Sequence, residues 1–266
     1  EKPILFIDPT YTNYIEFSRR LSIPISIYSR KLLNDGSYSD INIDEISDII
    51  DRDHPNGIVL IPADNPTGQQ ISQQLIIEIA KICVKKDIWI ISDEAYRNLY
   101  YTESGQTSIW DIDSEDVPGI DGRRISIESA SKLWNGCGLR IGALVTDNNT
   151  FHRKAVSEYT ANLCANSIGQ YIFSSITKLS TNEIRQWHQK QRDYYYSLMI
   201  QLRNQLLMNI PGIIVSNPES ALYLVIDFKN IVVDDFDISI FIEYCATTGK
   251  CKLGNNLFTL LLAPMT

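Results

Sequence analysis

Three polar clusters hold residue types that could do chemistry together: Asn65-Pro66-Thr67-Gly68, Ser92-Asp93-Glu94-Ala95-Tyr96, and Ser129-Ala130-Ser131-Lys132 followed by Gly136-Cys137-Gly138-Leu139-Arg140-Ile141-Gly142. A lysine amine such as that of Lys132 is a nucleophile toward a carbonyl once its pKa is lowered. A carboxylate at a strand end, Asp93, can face a cationic heterocycle, with the Tyr96 phenol three residues on, one helical turn away. Glycines let the backbone approach a ligand closely, and Arg140 can grip a phosphate through two parallel hydrogen bonds. Each cluster alone also has a plain reading. Asn, Pro and Gly make turns, a carboxylate caps helices, and a lysine is commonly a solvated surface group. Glu94 beside Asp93 does not make an acid–base pair, because neighbouring side chains on a strand or helix point apart.

What must position these clusters is a set of apolar runs of strand length at Pro3–Ile7, Ile58–Pro62, Ile88–Ser92, Ile125–Ile127 and Ile141–Val145. They are rich in isoleucine and valine, as parallel strands covered on both faces should be. Between Gly68 and Lys86, the residues Ile71, Leu75, Ile76, Ile79, Ile82 and Cys83 fall on one face of a helix. Strand, helix and strand in that order predict βαβ units and an α/β fold with a mostly parallel sheet. In such sheets ligands bind outside the carboxyl ends of the strands, which is where the three clusters fall. Asn182–Asn209 contains neither proline nor glycine and runs into Pro211-Gly212, so it reads as a long connecting helix. Beyond it, a short strand pattern at Ala221–Ile226 and a helix at Ile238–Thr248 suggest part of a smaller α+β domain.

Composition narrows the function. The 266 residues include 24 basic and 32 acidic ones, a formal charge of −8. Neither a nucleic-acid backbone nor an anionic membrane surface suits such a chain. No apolar run approaches the ~20 residues of a membrane span, and no signal peptide is visible. Cys83, Cys137, Cys164, Cys245 and Cys251 fit neither a zinc site nor a disulfide framework, so reduced thiols and a cytoplasmic location are expected. His54, His152 and His188 lack metal-ligand spacing and are expected at the surface or as caps; no metal is expected. Tyr14, Trp134 and the Tyr194–Tyr196 run read as packing or interface residues. The first strand–helix turn is Asp8-Pro9-Thr10-Tyr11, not the glycine-rich turn of a dinucleotide fold. The chain opens at Glu1 without methionine on a strand-like run and stops at Thr266 just after another apolar run, so both ends are expected to be cut.

Taken together and in this order, NPTG, D-x-x-Y and S-x-S-K with an arginine eight residues on resemble the motifs of the fold-type I pyridoxal-phosphate enzymes of the class I/II aminotransferase family. The stretch SASKLWNGCGLRIGALV is similar to the branch of bacterial aspartate-type aminotransferases, and Asp8-Pro9-Thr10-Tyr11 supplies a fourth match. The resemblance implies a seven-stranded-type, mostly parallel sheet flanked by helices, plus part of a smaller α+β domain. It divides the chain into a cofactor-binding large domain at 1–181, incomplete at its N-terminus, a connecting helix at 182–209 and a partial C-terminal domain at 210–266.

The same resemblance implies pyridoxal 5′-phosphate as cofactor. Lys132 would form the internal aldimine and shuttle the proton, and Asp93 would keep the pyridine nitrogen protonated so that the ring accepts electrons. Tyr96 and Asn65 would hydrogen-bond the ring 3-oxygen, Asn65 also reaching substrate. Tyr11 would stack on the ring. Ser129 and Arg140 would hold the phosphate, with Ser131 assisting. The implied reaction is ping-pong transfer of an amino group between an amino acid and a 2-oxo acid, by a homodimer. Family members extend further at both ends. Their substrate-carboxylate arginine is expected beyond Thr266, since no arginine follows Arg203; a second alignment puts Thr259 in that place. A lyase or decarboxylase using the same cofactor, or a non-catalytic cofactor-binding module, are the alternatives.

Overall fold

Runs of β-branched residues bounded by turns build the central sheet of the computed structural model, which describes residues 2–264. The elements are β1 (Ile4–Asp8), α1 (Thr12–Arg20), β2 (Ile25–Ser29), α2 (Ile43–Asp53), β3 (Gly57–Leu60), α3 (Gln73–Lys85), β4 (Trp89–Asp93), β5 (Arg124–Ser129), the single turn α4 (Ala130–Leu133) and β6 (Gly142–Thr146). There follow α5 (Asn149–Thr160), α6 (Ser167–Phe173), α7 (Thr181–Asn209), β7 (Ile214–Val215), β8 (Ile226–Asp227), α8 (Ile238–Thr247), β9 (Cys251–Leu253) and β10 (Asn256–Phe258). The main sheet has six strands in the order β2-β1-β3-β4-β5-β6, where the resemblance implies a seven-stranded type. Its first five strands are parallel.

The core sits where β1, β3 and β4 meet α2 and α3. Leu5, Ile58, Leu60 and Ile90 point from the sheet, and Ile46, Ile76, Ile79 and Cys83 come from the helices; all are fully buried. The helices begin where side chains take up free backbone N–H groups. Asn42 caps α2, Ser72 caps α3, and Ser180 with Glu183 forms a capping box on α7. Pro211-Gly212 ends α7, with Gly212 in the left-handed region at φ +93°.

Three expectations change. The run at Ile141–Val145 is not a parallel strand covered on both faces: β6 runs antiparallel to β5 and is largely exposed. The connection from β5, Ala130–Ile141, holds only the single turn α4 and a tight turn, without the longer helix that usually makes a parallel crossover. At Ala221–Ile226, strand pairing begins only at Ile226, because Ala221 sits at φ +55° and donates its N–H to Leu99 instead. His188 is neither at the surface nor a cap. It is 5% exposed, against Trp134 and Trp187, because α7 turns this side toward α4. His54 does cap α2, in the left-handed conformation, and His152 is exposed.

Among the elements without a counterpart in the apolar runs are β2 and α2. In β2 the pattern is inverted: Ser26 and Tyr28 are buried while Ile25 and Ile27 face outward. The amphipathic helix α2 was likewise hidden among acidic residues. No helix among the described residues is long and apolar enough to cross a membrane, and no group of three or more potential metal ligands occurs among them.

Candidate active site

The strand order alone gathers the clusters. β1, β3, β4 and β5 are consecutive parallel neighbours, so their carboxyl ends share one edge of the sheet. Tyr11 follows β1, Asn65 follows β3, Asp93 ends β4, and Ser129 and Lys132 lie at the end of β5. The antiparallel sense of β6 then returns Arg140 to that edge: Gly142 pairs with Ser129, and the Ala130 N–H donates to the Ile141 carbonyl at 3.0 Å. Had β6 been parallel, Arg140 would have stood at the opposite edge.

On one side of this edge the polar groups are locked. Asp93 pairs in register with Ile127 of β5. One of its oxygens accepts from the Tyr14 hydroxyl at 2.6 Å and the other from the Ala95 N–H at 3.0 Å. Burial pushes the Asp93 carboxyl up, while these two hydrogen bonds pull it back toward the ionised form. Burial also pushes the Tyr14 phenol up, as does the Asp93 charge, so Tyr14 remains a proton donor. Tyr96 is 5% exposed and its hydroxyl is hydrogen-bonded to that of Tyr223. Burial raises both of these phenols as well. Tyr11 meets Tyr14 edge-to-face at 5.8 Å between ring centres and leaves part of its ring exposed.

Glu94, next to Asp93, turns away from it. Its carboxylate accepts from Ser92, Ser108 and the Ile109 N–H and lies 3.5 Å from Arg97, which makes it a buried structural anchor.

On the other side the groups stand free. Ser129 caps α4, its Oγ accepting from the Ser131 N–H at 3.1 Å, which leaves its own proton to donate elsewhere. The Lys132 amine makes no hydrogen bond or ion pair among the described residues; its turn is held by backbone and by Gln191, whose amide reaches the Lys132 carbonyl at 3.4 Å. Arg140 is exposed, in the left-handed region at φ +54°, and its guanidinium touches only the Cys137 carbonyl, at 3.1 Å. No carboxylate among the described residues neutralises it. Ser131 is half-buried beside Lys132.

A cavity of about 810 Å³ reaches this edge from one side. Tyr11, Asn65 and Tyr223 line it, together with apolar residues of β8 and α8; Asp93, Lys132, Ser129 and Arg140 do not.

Two residues that pattern reading missed stand next to those it found. Tyr14 is the partner of Asp93, and Tyr223 is the partner of Tyr96. The position of Tyr14 three residues after Tyr11, one turn into α1, was a signal that both rings face the same way. Nothing in the local sequence marks Tyr223, which lies 127 residues from its partner.

The donor set suits a phosphorylated, aldehyde-bearing pyridine. It offers an amine without a competing carboxylate, an acid that accepts two hydrogen bonds, a buried phenol, and a serine and an arginine at the same strand edge with free donors.

Residues 1–247 match the family described as Aminotransferase class I and II. The probable mitochondrial alanine aminotransferase of Dictyostelium discoideum is 27% identical over 225 residues, which cover 77% of this chain and 42% of that protein. The glutamate-pyruvate aminotransferase AlaA of Escherichia coli K12 is 28% identical over 193 residues, 67% of this chain and 44% of its own length. The chain therefore spans less than half the length of these curated relatives. Among solved structures, the PLP-bound C-S lyase of Staphylococcus hominis shares the fold with a TM-score of 0.77 at 18% identity, covering 92% of this chain and 60% of that one. Sheet order, motif placement and the match over nearly the whole chain lead to one conclusion: the chain belongs to the class I and II aminotransferase family.

Proposed function

We propose that the protein uses pyridoxal 5′-phosphate to move an amino group between an amino acid and a 2-oxo acid. The observation that carries this reading is the convergence of Asp93, Tyr96, Lys132 and Arg140 on one edge of the sheet, the acid and phenol locked and the two cations free. When bound, the cofactor supplies an electron sink. The residues of the chain do the rest. Lys132 would hold the cofactor through its aldehyde carbon and would move the proton of the substrate α-carbon. Asp93, which accepts from the Tyr14 hydroxyl, would hold a proton on the ring nitrogen. Tyr96 and Asn65 donate hydrogen bonds to the ring 3-oxygen, Asn65 also facing substrate. Ser129 and Arg140, with Ser131, bind the phosphate, and Tyr11 covers a ring face.

The division into a large domain at 1–181, a connecting helix at 182–209 and a smaller domain at 210–266 belongs to the same reading. So does a homodimer, supported by apolar side chains left exposed on β6, α5 and α6, among them Leu144, Tyr159, Ile168 and Tyr171. A cytoplasmic setting is supported by the five free cysteines.

The test is amino exchange. The protein supplied with the cofactor and single amino acids should release the matching 2-oxo acid and become able to aminate a second one in a separate step. Release of ammonia in place of amino-group transfer would show a lyase-type reaction and overturn the proposal.

A further inference from the structure

The segment Ser216–Val225 crosses the carboxyl edge of the sheet as a strap. The N–H groups of Glu219 and Ser220 both donate to the Gly68 carbonyl, at 3.0 and 2.8 Å, and the Ser220 hydroxyl donates to the Gln69 carbonyl at 2.5 Å. The Ala221 N–H donates to Leu99 at 2.8 Å, and the Tyr101 hydroxyl donates back to the Ala221 carbonyl at 2.5 Å. The strap thus ties the Asn65–Gly68 turn to the segment that follows Asp93 and Tyr96. Gly68 has to be glycine here: its φ is +69°, and a Cβ would stand 2.4 Å from the Tyr223 carbonyl oxygen. These bonds fix the backbone just before Tyr223, and the Val225 N–H, donating to the Ser216 hydroxyl at 2.9 Å, holds it just after. Its ring packs edge-on against Tyr96 at 5.6 Å, in a small cluster with Ala63, Leu99 and Ala221, and the two hydroxyls meet.

A phenol has one proton and two acceptor lone pairs. A hydroxyl pair therefore shares one proton and has one left to donate. If Tyr96 faces an anionic oxygen, its own proton goes there, and the pair is ordered Tyr223 to Tyr96 to that oxygen. A second donor behind the first strengthens it, by perhaps 10–30% per bond in a low-dielectric site.

We infer that Tyr223 is a positioning residue for Tyr96, its hydroxyl directing the single Tyr96 proton onto the ring 3-oxygen of the bound cofactor. This rests on the proposed role of Tyr96, and the two can fail separately.

The experiment is a pH titration of the visible absorption of the protein loaded with pyridoxal phosphate, in wild type, Tyr96→Phe, Tyr223→Phe and the double variant, with thermal melts of the cofactor-free proteins alongside. A hydrogen bond donated to the ring oxygen holds negative charge there and lowers the midpoint of that titration. Losing a charge-assisted bond in Tyr96→Phe should raise the midpoint by about 1–2 pH units. Tyr223→Phe should raise it by a few tenths of a unit, on the order of the cooperative share of that bond. The double variant should match Tyr96→Phe, because Tyr223 acts only through Tyr96. In the cofactor-free melts the two single variants should each lower Tm by about 2–4 °C, and the double variant by no more than one of them.

A Tyr223→Phe midpoint equal to wild type, with Tyr96→Phe shifted, would overturn the inference and leave the role of Tyr96 standing. Additive shifts in the double variant would also overturn it, since Tyr223 would then act independently. An unshifted Tyr96→Phe would instead remove the role of Tyr96, and the inference with it.

Discussion

The two sides of the carboxyl edge are built differently. Asp93 and Tyr96 are each braced by a phenol from a distant part of the chain, Tyr14 and Tyr223. Lys132 and Arg140 are aimed mainly by backbone: one turn of helix steadied by the Gln191 amide, a left-handed residue and the register of β5 against β6. The difference follows from charge and burial. A carboxylate drawn out of water needs hydrogen bonds to stay ionised, and a buried phenol needs a partner for its proton. Two cations near the sheet rim can wait in solvent until an anion arrives. One side is therefore assembled within the chain itself, and in the proposed reading the other is completed by its ligand.

The contrast can be broken at several points. The largest effect is expected at the preassembled side: Asp93→Ala should cut amino-group transfer by about 10²–10³-fold, a loss typical of a single preorganised electrostatic group. Cofactor affinity should change by less than tenfold, measured by fluorescence titration. Near-normal turnover would remove Asp93 from the chemistry. At the ligand-completed side the pattern should reverse. Arg140→Ala deletes a charge-assisted contact worth about 1.5–3 kcal/mol, so cofactor affinity should fall roughly 10–100-fold. Its melting temperature without cofactor should stay within about 1 °C of wild type, because the exposed Arg140 guanidinium makes one hydrogen bond among the described residues, to the Cys137 carbonyl.

Tyr14→Phe gives the smallest effect and the sharpest sign. The Tyr14 hydroxyl donates to the ionised form of Asp93 and so holds its pKa down against burial. Without it the carboxyl pKa rises further, and protons compete for Asp93 at higher pH. The acid limb of activity should therefore move upward, by up to about one pH unit for a bond of ~1 kcal/mol. A downward shift, or an unchanged limb, would mean that Tyr14 only packs.

Much of the site was legible because strand-end motifs are local. NPTG after β3, Asp93 at the end of β4 and Ser129–Lys132 after β5 follow from short apolar runs and the turn residues behind them. What the sequence hid is non-local or inverted. The sense of β6 depends on whether the connection before it folds into a crossover helix, and on that sense hangs the position of Arg140. The edge strand β2 exposes its isoleucines and buries a serine, so its alternation points the wrong way. His188 looks like a solvent residue on a polar helix until α7 is packed on Trp134. Tyr14 and Tyr223 resemble ordinary aromatic packing because the groups they serve lie 79 and 127 residues away.

The central claim is that the Lys132 amine holds the cofactor at the edge it shares with Asp93. Reduction of the loaded protein with borohydride, followed by peptide mapping, tests it directly. The expected result is one stable pyridoxyl group, on the peptide that contains Lys132, and none in Lys132→Ala. Labelling of a different lysine, or retention of the label in that variant, would contradict it.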